Sequence, residues 1–300
     1  ARLSNDEIWL FDNKMYGQIY FRLGYDHSDN QIKTNKMKTL FIMTFSIIMG
    51  LSMGNLVIGQ YDYDKAWKEV AELIEKGLPK SALEKVEQIQ KMAESEKNHP
   101  QLAKSVIYIS RLTIMTDEKG LELSISKLTA MISSQPSPVN RISASYLAEL
   151  YQRYFDNYRW EISQRSELSG EKSDDFRTWT TGQFLSTIEK WYLFSVEDKN
   201  ALSIPVDKYE AILEPYDKEG VPFRPTLYEV LADRALAFFT NYDSYTNEFS
   251  GSFQVDKAAY FGPADKFTAE KLETSDQGST KFKVLSLLQD VLRVQVERKD

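Results

Sequence analysis

The chain is predicted to be all-α, a stack of antiparallel helical hairpins in the manner of a TPR- or HEAT-like superhelix. From residue 61 onward, apolar residues recur at i, i+3, i+4 and i+7, the period of an amphipathic helix. Proline and glycine punctuate that pattern at short intervals. The first hairpins start near residues 62, 100 and 138, a period of about 38 residues that lies among those of tetratricopeptide and HEAT arrays. Short connections make neighbouring helices antiparallel, and each hairpin must bury its apolar stripe on the next. The tetratricopeptide consensus itself matches poorly.

The elements follow in order. Residues 1–36 precede Met37 and lack clear periodicity, so they read as upstream sequence outside the fold. Residues 37–59 read as a secretory signal. Lys36 and Lys38 supply the basic end, Leu40–Met49 an apolar core, and Val57-Ile58-Gly59 a small-residue exit, with cleavage expected between Gly59 and Gln60. The stretch is long enough to span a bilayer, but Ser46, Ser52, Gly54 and Asn55 interrupt it and favour the signal.

A first helix is expected to bury Trp67, Val70, Ala71 and Ile74, with Asp62 or Asp64 as its cap and Gly77 at its end. Pro79 opens a second with Leu83, Val86, Ile89 and Ala93 on one face, and Pro100 a third with Leu102, Val106, Ile109 and Thr113. After a turn at 117–120 come Leu121, Ile125, Leu128 and Ile132. After the break at 135–138 come Val139, Ile142, Tyr146, Leu150 and Tyr154. Residues 60–160 are thus the helical-hairpin array, and 161–300 a continuing helical region cut short at its C-terminus.

In that second region, 163–177 is polar and charged and predicts a surface loop. A helix over 178–196 is expected to bury Phe184, Ile188, Trp191 and Ser195, and 206–213 to add a short one. Thr226 and Glu229 have capping-box spacing ahead of Leu227, Leu231, Ala235 and Phe238. The segment 241–279 lacks a helical period except over 264–272 and predicts an irregular stretch anchored by Phe249, Phe253, Tyr260, Phe261 and Phe267. A last helix over 281–299 carries Val284, Leu285, Leu288, Val291, Leu292 and Gln295.

Composition narrows the function. Hydrophobic residues at 42% and charged residues at 27% fit a globular chain and exclude pervasive disorder. Lys+Arg 37 against Asp+Glu 44 gives a net charge of −7, which argues against nucleic acid as a partner. There is no cysteine, and His27 and His99 are the only histidines. A disulfide framework, a Cys-ligated zinc or iron–sulfur site and a thiol nucleophile are therefore excluded, and a Ser–His–Asp triad would depend on one of two residues. No catalytic, cofactor-binding or metal-ligating residue is predicted, and the chain reads as no enzyme.

The individual candidates point the same way. His99, between Asn98 and Pro100, reads as an exposed turn residue rather than a general base. Asp174 and Asp175 have the chemistry for acid–base work but read as solvated surface. Arg224, Thr226, Asp233 and Arg234 read as helix capping with surface charges, the alternative being an anion site at a helix start. Gly251 and Gly262 are isolated and make no phosphate loop. Tyr146, Tyr151, Tyr154, Phe155, Tyr158 and Trp160, interleaved with Arg153 and Arg159, read as packing between hairpins, with a stacking platform as the alternative.

Four separated motifs add a resemblance. KGLPKSALEKV (76–86), preceded by Trp67, is followed by AELYQRY (148–154), TWTTGQF (178–184) and RPTLYEVLADRALAFF (224–239). In order and spacing they resemble the N-terminal helical region of the large alpha-2-macroglobulin family proteins of Bacteroidetes-type bacteria. The resemblance implies an exported, periplasmic, outer-membrane-associated or secreted endopeptidase inhibitor. Its macroglobulin domains, beyond this fragment, bait proteases, and in many members a Cys–Gln thioester then traps them. With no cysteine here, no trapping residue carries over and no lipid anchor is available. The chain is expected to be a non-catalytic scaffold whose partners are other domains of the same longer chain and, through them, proteases. It needs no cofactor, and no stable membrane insertion follows signal cleavage. The rival expectation is a free-standing periplasmic TPR-like module binding a peptide, a glycan or a partner protein.

Overall fold

A computed structural model describes residues 61–165, 173–213, 220–241, 253–276 and 278–298. The upstream segment, the signal with its Gly59–Gln60 cleavage, and the expectations on Phe249 and Gly251 lie outside these residues. Among them there are α-helices, short 3-10 turns and a single isolated bridge, Pro205 to Thr226, but no strand. The fold is all-α, with neighbouring helices packed on one another.

The first hairpins show why the chain reverses where it does. Helix α1 (Tyr63–Glu75) ends on Gly77, whose φ of 70° lies in the left-handed region that glycine enters without cost. The Gly77 amide donates to Ile74 O at 3.0 Å and the Leu78 amide to Leu73 O at 2.9 Å, the paired bonds of a Schellman stop. Pro79 then begins α2 (Pro79–Ser95), where a missing N–H costs nothing. The same stop recurs at Lys97 (φ 53°), where the Asn98 amide reaches Ala93 O at 2.8 Å. Asn98 also caps α3 (His99–Thr116) by accepting from the Gln101 amide. Helix α4 (Gly120–Met131) follows a turn in which the Lys119 amide donates to Asp117 Oδ1 at 2.7 Å. Gly120 is buried, and a Cβ there would meet Thr113 O at 2.3 Å, so α4 rests its backbone on the last turn of α3.

Helix α5 (Val139–Asn157), followed directly by the short α6 (Arg159–Ser163), is the hub. It packs against α3, α4, α7 (Thr181–Val196) and α9 (Leu227–Thr240). Periodicity predicted one buried stripe, yet every residue from Ile142 to Ala148 is buried. The reason is position: a helix with neighbours on several sides needs small side chains where they approach, and Ser143, Ala144, Ser145 and Ala148 supply them. Helix α3 departs in the same way, burying Ala103, Ser105, Ile107 and Leu112 beyond the predicted stripe, while Thr113 is half-buried. In α1 the buried face is Tyr63, Ala66 and Val70, one position earlier than predicted, with Trp67 half-buried and Ala71 exposed. In α2, Ala82 replaces Leu83 on the buried face.

The second region starts later than its spacing predicted. A 3-10 turn (Phe176–Thr178) and the buried Trp179 precede α7, which begins at Thr181. Thr180 and Gln183 form the capping box that sets this start. The polar stretch 163–177 is therefore not all surface, since Phe176 is buried. On α7 it is Tyr192 that is buried, while Trp191 is half-buried. After the single turn of α8 (Lys199–Leu202), the short helix expected at 206–213 is a 3-10 stretch (Val206–Ile212) kinked at Tyr209, and it lies against α3 and α9.

Between 253 and 298 a smaller core forms. Phe253, Tyr260 and Phe267 bury together with Leu285 of α11 (Thr280–Arg298). Phe261, an expected anchor, points outward and is 73% exposed. The predicted 264–272 helix is only α10 (Ala264–Ala269). The Gln289 side-chain amide closes it, donating to Phe267 O at 2.6 Å and Glu270 O at 2.8 Å. Carbonyls left free at a helix end are thereby satisfied from α11. On α11 the buried residues are Thr280, Leu285, Leu287 and Gln289, whereas Val284, Val291 and Gln295 are half-buried.

Candidate functional site

The aromatic run of α5 is the first place to look for a binding platform, and the structure puts most of it in the core. Tyr146, Tyr151, Tyr154 and Phe155 are all buried. Trp179 stacks on Tyr151 at 5.6 Å, and Phe176 meets the same ring edge-on at 5.6 Å. Phe184 stacks on Tyr154 at 5.7 Å. Burial raises the phenol pKa of both tyrosines. With Tyr151, Tyr154 and Phe155 against other rings and Tyr146 buried, none of these side chains can take a base or a sugar; the packing reading holds for them. Tyr158 and Trp160 are different, exposed by 41% and 74%.

A row not singled out from the sequence lies on α3. Gln101, Lys104, Tyr108 and Arg111, at i, i+3, i+7 and i+10, are all half-buried, and the first three meet Trp67 of α1. The Trp67 indole N–H donates to Gln101 Oε1 at 2.6 Å, and its ring lies 4.8 Å from that of Tyr108. Lys104 Nζ sits 4.5 Å above the Trp67 ring, and the Arg111 guanidinium 5.7 Å from Tyr108. Each of these cations lies within cation–π reach of an aromatic ring. Its signal was present as the complement of α3's apolar period.

The charged candidates are built into the fold. Glu229 is 1% exposed. Its Oε2 accepts from the Thr226 amide at 2.9 Å and hydroxyl at 2.7 Å, and its Oε1 from Arg298 at 2.6 Å. The start of α9 is thus occupied by the chain's own carboxylate, which removes the anion-site alternative. Arg234 is buried, not a surface charge. Its Nε donates to Ser145 Oγ at 2.8 Å and its NH2 to Glu149 Oε2 at 2.6 Å, which ties α9 to α5. Asp175 accepts from Arg177, which holds its carboxyl below the usual range. His99 is the half-buried first residue of α3 instead of a turn residue.

Asp233 gives a measurable pH dependence. Burial pushes its carboxyl up to about 6, against the pull of Arg224 at 3.5 Å and with Glu229 adding to the rise. The folded chain therefore holds a proton that the unfolded chain releases, and stability from this residue falls as pH rises through 4 to 6. Asp233→Asn is expected to gain in melting temperature relative to the parent between pH 4 and pH 8. A difference that is flat or shrinks with pH would contradict the assignment.

Among the described residues no group of three or more His, Asp or Glu is placed to hold a metal ion, and no helix is long and apolar enough to cross a membrane. No protein-family model, curated protein or solved structure matches the chain.

Proposed function

We propose that the chain is a non-catalytic scaffold segment of an exported alpha-2-macroglobulin-like protease inhibitor. One observation supports this reading: all four motifs that carry the resemblance fall on structural joints. The 76–86 motif holds the Gly77 stop and the buried Ala82 and Val86. The 148–154 motif holds Glu149, which pairs with Arg234, and the stacked Tyr151 and Tyr154. The 178–184 motif holds the Thr180–Gln183 box and Phe184, and the 224–239 motif the Thr226–Glu229 box and Arg234. Such residues specify how one helix sits on the next, which is what a spacer between other domains requires.

The test is the native product. An antibody raised against the 300-residue chain should detect, in the exported fraction, a species far larger than 34.7 kDa that becomes associated with an added protease. A species near the mass of the chain alone, with no protease association, would favour the free-standing module and sink the inhibitor reading.

A further inference from the structure

Helix α11 has two working sides, and they serve different parts of the fold. Phe282, Leu285, Gln289 and Leu292, at i, i+3, i+7 and i+10, share one side. The three apolar ones belong to the small core with Phe253, Tyr260 and Phe267, and Gln289 closes the end of α10. Arg293 adds bonds to Thr268 O at 3.3 and 3.1 Å. Among the described residues this core draws only on 253–292, so the stretch 253–298 holds itself together from within.

Leu287, Val291 and Arg298, at i, i+4 and i+11, lie on the opposite side. Leu287 is buried but is no part of the small core, which leaves α9, packed along α11, to cover this side. Three ion pairs fix it, each to a different helix. Lys283 Nζ lies 2.8 Å from Glu189 Oε1 of α7, Asp290 Oδ1 2.8 Å from Lys199 Nζ of α8, and Arg298 2.6 Å from Glu229 Oε1 of α9. From Lys283 to Arg298 they span about 22 Å of helix. One group opposes docking. Tyr228 of α9 is fully buried, and its hydroxyl has no hydrogen-bond partner among the described residues. Burial raises its phenol pKa, and the carboxylates of Asp290 on α11 and of Glu229 raise it further. An unmet buried hydroxyl is a cost that contact with water would remove.

We propose that residues 253–298 form a latch that docks on α7, α8 and α9 through these three ion pairs and lifts off as an intact unit when ionic strength rises, uncovering Leu287, Val291 and Tyr228. The two sides of α11 answer salt differently. Attraction across the docked side weakens as the screening length falls from about 10 Å at 0.1 M salt to about 3 Å at 1 M. The small core is apolar and does not depend on charge. Undocking also gives the Tyr228 hydroxyl a hydrogen bond with water, so the closed state is held by the component that salt removes. The proposal does not depend on the inhibitor reading.

The chain has no cysteine, so a single introduced thiol reports its own exposure. In the full chain, Leu287→Cys puts a thiol on the docked side, and Leu285→Cys, in a separate variant, puts one in the small core. Labelling by dithionitrobenzoate is followed in potassium chloride at about 0.1 M and about 1 M. The thiol of Leu287→Cys is expected to react about tenfold faster at the higher salt, and that of Leu285→Cys at an unchanged rate. Tyr228→Phe added to Leu287→Cys should slow labelling about tenfold, the opposite of what losing a bonded hydroxyl would do. Circular dichroism checks that the variants are folded, and Val291→Cys replaces Leu287→Cys if that one is not. Labelling of Leu287→Cys at equal rates in the two salts overturns the proposal. So does equal acceleration in Leu285→Cys, which would mean that α11 unravels instead of lifting, or faster labelling with Tyr228→Phe.

Discussion

Replacing Gly120 by alanine is expected to lower the stability of the folded chain by about 3 kcal/mol, at the upper end of what overpacking costs. The added methyl would lie 2.3 Å from Thr113 O and 2.5 Å from Ile114 Cα. Both are backbone atoms in α3, so no rotamer change relieves the clash and α4 must move off its neighbour. For a domain of this size the melting temperature should fall by roughly 6–12 °C. Gly77→Ala is the informative companion. A Cβ at Gly77 meets nothing within 4 Å, and the cost there comes only from a φ of 70°, about 1–2 kcal/mol. Thermal melts that rank Gly77→Ala as the more damaging of the two would show that α4 does not rest on α3 in this way.

Arg234→Ala is expected to cost about 2–3 kcal/mol, because it removes three hydrogen bonds and leaves the buried Ser145 hydroxyl and the part-buried Glu149 carboxylate without the guanidinium. Arg234→Lys should recover little, since an ammonium cannot span both acceptors in the geometry of a guanidinium. A double-mutant cycle with Glu149→Ala separates the pair from the packing of the arginine stem. Coupling of about 2 kcal/mol is expected by chemical denaturation. Strictly additive losses would mean that Arg234 serves α9 by bulk alone. Pairing Arg234→Met with Glu149→Leu should restore part of the stability, through packing of the arginine site rather than of the part-exposed Glu149 position.

How much of this was legible depends on where the deciding interaction lies in the chain. Stops and starts are local, so Gly77, Pro79 and the Thr226–Glu229 box could be placed from spacing alone. Which way each helix turns its faces is not local. Trp67 looked like core because it is large and in phase, but it spends its indole N–H on Gln101 and shares its ring with Lys104. Partners 85 residues apart, as Glu149 and Arg234 are, leave no mark in a windowed pattern. Neither did the polar turn at 135–143. Pro136 and Pro138 mark the break there, and that role hid the question of what the side chains of Gln135 and Ser137 bond to.

The order of contacts along the chain has a consequence for how it is made. Helices α1 to α5 pack on close neighbours in sequence, and the bonds between them need only short loops to close. They can form as the polypeptide emerges from the ribosome. The rear is different: α9 must return to α5 through Arg234, and Arg298 must find Glu229 across 69 residues. Those closures carry the larger loop entropy and have to wait until the whole segment has been synthesised. The front half is thus ready to act as a template on which the last helices dock, and the two part-buried ion pairs are the final clasps.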